Sequence, residues 1–324
     1  MFNKKLIAAA VLATIGSVAA VAPTQAGPMS VVAGSVTIYF DKLLDQGTIG
    51  YTNPSQAFGT TQTLCTTIAE CDNPLLGQTP TTNGFGSDTW GIFSVSRILS
   101  NVTGDDLWTR QVTTSFGVGT YLTGLFYGLQ DFRVDYTVSA TGNQSITTYS
   151  TGGQVDLYWN ASEYNTATLL SNAHTAPGTF TGITDTGVKA ATLAFNPTAD
   201  AVVSNSAYRS MYNYTSNGSG GVGYLDVVSG SGIASANDGN LNTTDLASLL
   251  ERSDGTHDPL TQDPEGVYHD VALYTVFGKA TDSQLNHGWT VKGDGHADTA
   301  IPEPTTLALL GLGLFGLASM RRRA

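Results

Sequence analysis

The side chains of this 324-residue sequence that could do chemistry fall into a few small groups. Asp294, His296 and Asp298 alternate within 293–298, so on a strand they would share one face and could form a surface metal patch. The same run is glycine-rich and stands just before two prolines, a composition that reads as a solvated linker. His257-Asp258 and His269-Asp270 are adjacent acid–base pairs, while His174 and His287 stand apart. Cys65 and Cys71 are the only cysteines, and a pair this close is expected to form a disulfide in an oxidising compartment. A metal reading there would have only Glu70 and Asp72 to draw on. Trp108, Tyr158, Trp159 and Trp289 could stack on sugar rings, or they could fill a core. The sequence contains no HExxH zinc helix, no phosphate-cradling GxxxxGK[ST] loop and no nucleophile-elbow GxSxG after a strand. Asp is too abundant for spacing to single out a glycosidase carboxylate pair. The expectation is a protein with no catalytic residue, no metal and no cofactor.

The elements that must position these residues read as strands. Short alternating or aromatic segments lie at 31–40, 90–99, 121–129, 134–139, 155–160, 190–195, 208–214, 224–228, 271–277 and 289–292. Between them stand turn clusters such as Gly142-Asn143, Ser216-Asn217-Gly218 and Asp238-Gly239. Val134, Tyr136 and Val138 share one face of their segment, and Arg133, Asp135 and Thr137 the other. This pattern predicts an all-β, antiparallel, jelly-roll-like β-sandwich. The one helical candidate is 243–252, where Thr243 or Thr244 can cap, Asp245 favours the first turn and Leu246, Leu249 and Leu250 share a face. Its approach, 238–245, resembles the second half of a dockerin-type or EF-hand-type calcium loop, with Asp238, Asn242 and Asp245 as oxygen ligands and Asn240 offering a carbonyl. The first and third ligand positions fall on Ala234 and Ala236, so a polar turn capping a short helix is the preferred reading.

The formal charge of −12 excludes a nucleic-acid-binding module, which needs clustered Lys and Arg. Lys4, Lys5, Arg321, Arg322 and Arg323 lie in 1–26 and 305–324, segments that hold no acidic residue. The stretch between therefore carries nine basic against 26 acidic side chains, a charge of −17. Such a charge favours solubility and suits a matrix bridged by divalent cations.

Both ends read as addresses. Lys4 and Lys5, an apolar run over 6–22 and small residues up to Ala26 make a secretory signal peptide, 1–26, with Ala20 or Ala22 as alternative cleavage points. At the other end Pro302-Glu303-Pro304 should be extended, because proline cannot donate a helical hydrogen bond. The uncharged run 305–320 follows, about 24 Å long as a helix at ~1.5 Å per residue, and then Arg321-Arg322-Arg323. A run ending in such a basic stop reads as a transmembrane helix with the arginines kept on the cytoplasmic side. Gly311, Gly313 and Gly316 match GxGxxG, but no acidic residue lies about 20 positions on, so a dinucleotide reading fails.

Pro302, Glu303, Pro304, the Gly/Leu-rich run and the terminal Arg321, Arg322 and Arg323 together resemble the PEP-CTERM sorting signal of Gram-negative bacteria. That resemblance implies a membrane enzyme, exosortase, that cuts near Pro-Glu-Pro, and an association with exopolysaccharide, biofilm or floc formation. The body is also similar to β-rich domains of other PEP-CTERM proteins at Leu225-Asp226-Val227 and Gly288-Trp289-Thr290-Val291. The organisation expected is a signal peptide (1–26), an extracytoplasmic body (27–300) and a sorting signal (301–324). The function expected is a non-enzymatic cell-surface or extracellular-matrix protein, transiently membrane-anchored, whose partners are the secretion machinery, exosortase, exopolysaccharide and the membrane. A carbohydrate-binding module and, behind it, a secreted hydrolase are the alternatives.

Overall fold

The computed structural model describes residues 34–46, 57–72, 89–110, 121–197, 199–213, 219–228 and 261–301. The signal segment, the 243–252 helix with its calcium-type loop, and the sorting tail from Pro302 onward lie outside them. Eleven strands form one antiparallel sheet: β1 (Gly34–Asp45), β2 (Thr60–Cys65), β3 (Thr89–Ser100), β4 (Asp106–Thr109), β5 (Tyr121–Val138), β6 (Gln144–Asn160), β7 (Val188–Asn196), β8 (Tyr208–Asn213), β9 (Ser219–Val227), β10 (Val271–Lys279) and β11 (Val291–Ile301). Two short helices complete the described structure, α1 (Ile68–Cys71) and α2 (Asp282–Asn286), with a 3-10 turn at Ser171–Ala173. The all-β antiparallel class read from the alternation holds.

The sheet closes on itself. Following the pairings β5–β3–β1–β11–β10–β9–β7–β6 leads back to β5, a ring of eight strands. The two packed faces expected of a sandwich are thus opposite walls of one continuous sheet. Strand β8 lies end to end with β7, and the two share the lane between β6 and β9. Eight strands leave an interior just wide enough for side chains to fill. Alternate residues supply that filling: Ile38 and Phe40, Phe93 and Val95, Val155 and Leu157, Leu193 and Phe195, Leu225, Val271 and Ala297.

Inside the ring, large aromatic side chains face glycines on the neighbouring strand. Phe93 is paired with Gly124, Phe126 with Gly91, Phe40 with Gly295 and Tyr208 with Gly223. A Cβ at Gly124 would lie 2.1 Å from Phe93 Cζ, and one at Gly295 would lie 2.5 Å from Phe40 Cζ. The ring can lie flat across the partner strand only where that partner has no side chain. This is why 293–298, read from its glycines as a solvated linker, is instead the middle of β11. There it is hydrogen-bonded on one side to β1 and on the other to β10.

Other spans also differ from the sequence reading. The segments 121–129 and 134–139 are one strand, β5, and 155–160 is the second half of β6. This long hairpin takes positive φ at Gly128, Gly152 and Gly153, and beyond them β5 pairs with β2 instead of β3 while β6 stays paired with β8. There Val134, Tyr136, Val138 and Ile146 make a small core with Cys65 and Cys71, on the face that alternation had assigned. Strands β2 and β4 were not anticipated; β2, Thr60–Cys65, has no apolar alternation and is held by pairing to β5. The expected disulfide Cys65–Cys71 is present, closing the turn of α1. Outside the ring, the segment 161–187 packs Phe180 and Ile183 on Trp90, Ile92, Leu125 and Trp289.

Replacing Gly124 by Val should force Phe93 from its position and cost about 1–3 kcal/mol of stability, the usual range for overpacking. The urea midpoint reads this directly, and Phe93→Leu in the same chain should recover part of the loss. An unchanged midpoint for Gly124→Val would show that the aromatic–glycine pairing does not constrain the wall.

Candidate functional site

The most concentrated set of titratable groups lies at the rim where β9 ends and β10 begins. His269 is buried between two carboxylates: Nδ1 is 3.1 Å from Asp226 Oδ1, and Nε2 is 3.1 Å from Asp263 Oδ2. Asp226 sits on β9 and also accepts from Asn196 Nδ2 at 2.8 Å. Asp263 is placed by its own turn, accepting backbone N–H bonds from Glu265 and Val267. Asp270 accepts from the backbone N–H of Val227, and the ring of Tyr224 lies 5.4 Å from that of His269. With carboxylates on both nitrogens, the ring is satisfied as an imidazolium donating twice. Burial alone would lower the His269 pKa, but the bonds and charges of Asp226 and Asp263 outweigh it and the net shift is upward. For Asp226 burial acts upward, yet the bonds from His269 and Asn196 bring it below the usual carboxylate range.

A second charged cluster fastens 161–187 to the ring. Arg110 Nη1 and Nη2 donate to Asp41 at 2.5 and 2.7 Å, and Nη1 also reaches Glu163 Oε1 at 2.6 Å. Lys42, left-handed at a bulge in β1, pairs with the second Glu163 oxygen, and Ser94 Oγ donates to the first at 2.6 Å. The third set is Asp294, His296 and Asp298. They do share a strand, but His296 stacks on Tyr274 with centroids 5.0 Å apart and Asp298 accepts from Thr37 Oγ1 at 2.7 Å. Among the described residues no group of three His, Cys, Asp or Glu is placed to hold a metal ion.

The four proposed sugar-stacking aromatics are core residues. Trp108, Tyr158, Trp159 and Trp289 are all buried, with Trp289 enclosed beside Trp90 and Phe180 and donating to Leu169 O at 2.8 Å. The reading in which large rings fill the interior is the correct one. Inside the ring a cavity of about 70 Å³ remains, lined by Phe40, Phe93, Phe126, Phe195 and Phe277 among others. Its one carboxylate is Asp45, and Tyr208 there shares a 2.6 Å hydrogen bond with Thr275. A carboxylate that burial lifts to about 6, Asp131, lies apart from this cavity, bonded to Ser150 at 2.6 Å.

Strand β11 leads out of the ring at its last pair, Gly34 with Ile301. Residues 300–323 match the family model for the PEP-CTERM protein-sorting motif. No curated protein and no solved structure matches the chain. The motif implies an exported protein of Gram-negative bacteria with exosortase as its processing partner. The PEP-CTERM residues Pro302, Glu303, Pro304, Arg321, Arg322 and Arg323 lie outside the described residues, but the motif's first two positions, 300 and 301, are strand. The His269 cluster was not assembled from sequence because Asp226 lies on β9, 43 residues from His269, although Asp263 is only six residues away. The polar positions 226 and 263 flanking apolar strands were its only signal.

Because the folded pKa of His269 is raised, its stabilisation is complete below the unfolded value of about 6.5 and is lost as pH rises through the folded value. Asp226 is depressed, so its share is present above about 3.9 and is lost as pH falls. Urea midpoints should therefore decline as pH rises from about 6.5, and His269→Gln should lower stability and flatten that decline. An equally steep decline in His269→Gln would assign it to another group.

Proposed function

We propose that this chain is a non-enzymatic surface or matrix protein that is exported, held briefly in the membrane by its 305–320 helix, and released or retained to associate with exopolysaccharide in biofilm or floc. Export follows the signal peptide 1–26, and the folded unit is the 27–300 body. The observation that carries this reading is the continuity of β11 with the sorting motif: processing delivers an intact ring with nothing between them.

The body's chemistry supports a structural role. Of the nine basic side chains in the stretch between the end segments, Lys42, Arg97, Arg110, Arg133, Lys189 and Arg209 are in ion pairs within the protein. Most of the 26 carboxylates must therefore be balanced from outside, as in a matrix bridged by divalent cations. The hydrolase alternative would need a carboxylate pair at a cavity, and the ring's cavity supplies only Asp45. The carbohydrate-module alternative loses its stacking residues to the core.

Replacing Pro302, Glu303 and Pro304 together by alanine should leave the precursor in the membrane fraction and block its maturation, read by intact mass. Normal processing would overturn the exosortase step. Neutralising Arg321, Arg322 and Arg323 should weaken retention, each arginine resisting passage by about 2.5–3.5 kcal/mol. A deletion strain should lose cell aggregation and matrix polysaccharide; unchanged aggregation would remove the matrix role.

A further inference from the structure

The rim at which β11 ends carries an unusual share of exposed apolar side chains. Val102 sits in the turn after β3, where the backbone N–H of Asn101 bonds to Ser35 O, one residue from the Gly34–Ile301 pair. Val228 follows β9, and Val267 and Tyr268 lie in the loop that enters β10, whose first residue pairs with Thr299. These four are 65%, 39%, 50% and 37% exposed. All therefore belong to the end of the ring from which the sorting motif departs.

We infer that this rim is a membrane-contact surface, seated on the phospholipid bilayer while the precursor is tethered. The inference rests on the proposed anchoring by 305–320. The argument is one of length. Four backbone links separate Ile301 from Thr305, and at ~3.5 Å each they span at most about 14 Å. Roughly 5–7 Å of that is used in crossing the headgroup layer of one leaflet. Ile301 is held at the ring by its pairing with Gly34 of β1, two residues beyond the last pair with β10, Thr299 with Val271. The rim is thus held within several ångströms of the lipid surface, close enough for Val102, Val228, Val267 and Tyr268 to enter the interface. Asp105 and Glu265 are exposed at this end, and the loops 101–105 and 262–270 that carry them contain no Lys or Arg, so the surface suits neutral rather than anionic headgroups.

The test is hydroxyl-radical footprinting of the full-length precursor in phosphatidylcholine vesicles, against the processed protein in solution. Tyr268, Val102 and Val228 should be modified several-fold more slowly in the vesicle-bound precursor. Phe58, beside the far hairpin turn at Gly142, and Val276, toward the opposite end of β10, should not change. A 20-residue Gly/Ser insertion between Ile301 and Pro302 should keep the precursor in the vesicle fraction and abolish the protection. A vesicle-bound precursor whose rim is modified at the solution rate would overturn the rim contact and leave the anchoring intact. A precursor that stays out of the vesicle fraction would overturn the anchoring, and the rim contact with it.

Discussion

The pairing of the first described strand with the last closes the ring, and the interior of the ring exists only because it closes. Thr37 on β1 donates to Asp298 on β11, a buried contact between residues 261 apart in sequence. Until that pairing forms, β1 and β11 each have an open edge, and the apolar faces of Ile38, Phe40 and Ala297 remain in water. Closing so long a loop costs entropy that grows only slowly with length, but it must be met before the interior contacts can offset it. Ring closure is therefore expected to come late in folding, as is usual for folds dominated by non-local pairing.

The aromatic–glycine pairs follow from the same constraint. A ring of eight strands has little room inside, and phenylalanines at every inward position would not fit. Placing glycine opposite Phe40, Phe93, Phe126 and Tyr208 makes the space locally, at the cost of strand propensity on the glycine side. A similar exchange appears in the long hairpin, where β5 passes from β3 to β2. Gly128, Gly152 and Gly153 take positive φ there, and the lower half forms a separate small core with the Cys65–Cys71 disulfide.

This explains which parts of the structure were legible in the sequence. Alternation identified Val134, Tyr136 and Val138 because an inward face and a pleat share one period. It failed at β11 because Gly293 and Gly295 carry the local signature of a linker while serving close contact between strands. It failed at β2 because four exposed residues of that strand have no inward face to display. The His269 cluster was hidden for a different reason: Asp263 reaches His269 through a local turn, but Asp226 is brought in by the pairing of β9 with β10, which local pattern does not encode. The large aromatics point the other way. Their burial agrees with the general tendency of tryptophan to fill cores, and rings able to stack on sugars were not needed to account for them.

The position of the sorting motif ties closure to export. On the proposed anchoring, the apolar run after Pro304 halts the chain a few residues beyond Ile301. All of β11 is then outside the membrane. Had the stop come several residues earlier, the upper pairs of β11, Gly34 with Ile301 and Ser35 with Ala300, could not form without drawing the tail outward. Had it come much later, the ring would close at a distance from the processing enzyme. On that anchoring one strand does both tasks: its lower pairs complete the interior through Phe40 and Gly295, and its last pair, Gly34 with Ile301, immediately precedes the Pro-Glu-Pro segment in sequence. Strand β11 is thus constrained from both sides, by packing up to Ala297 and by sorting from residue 300 onward.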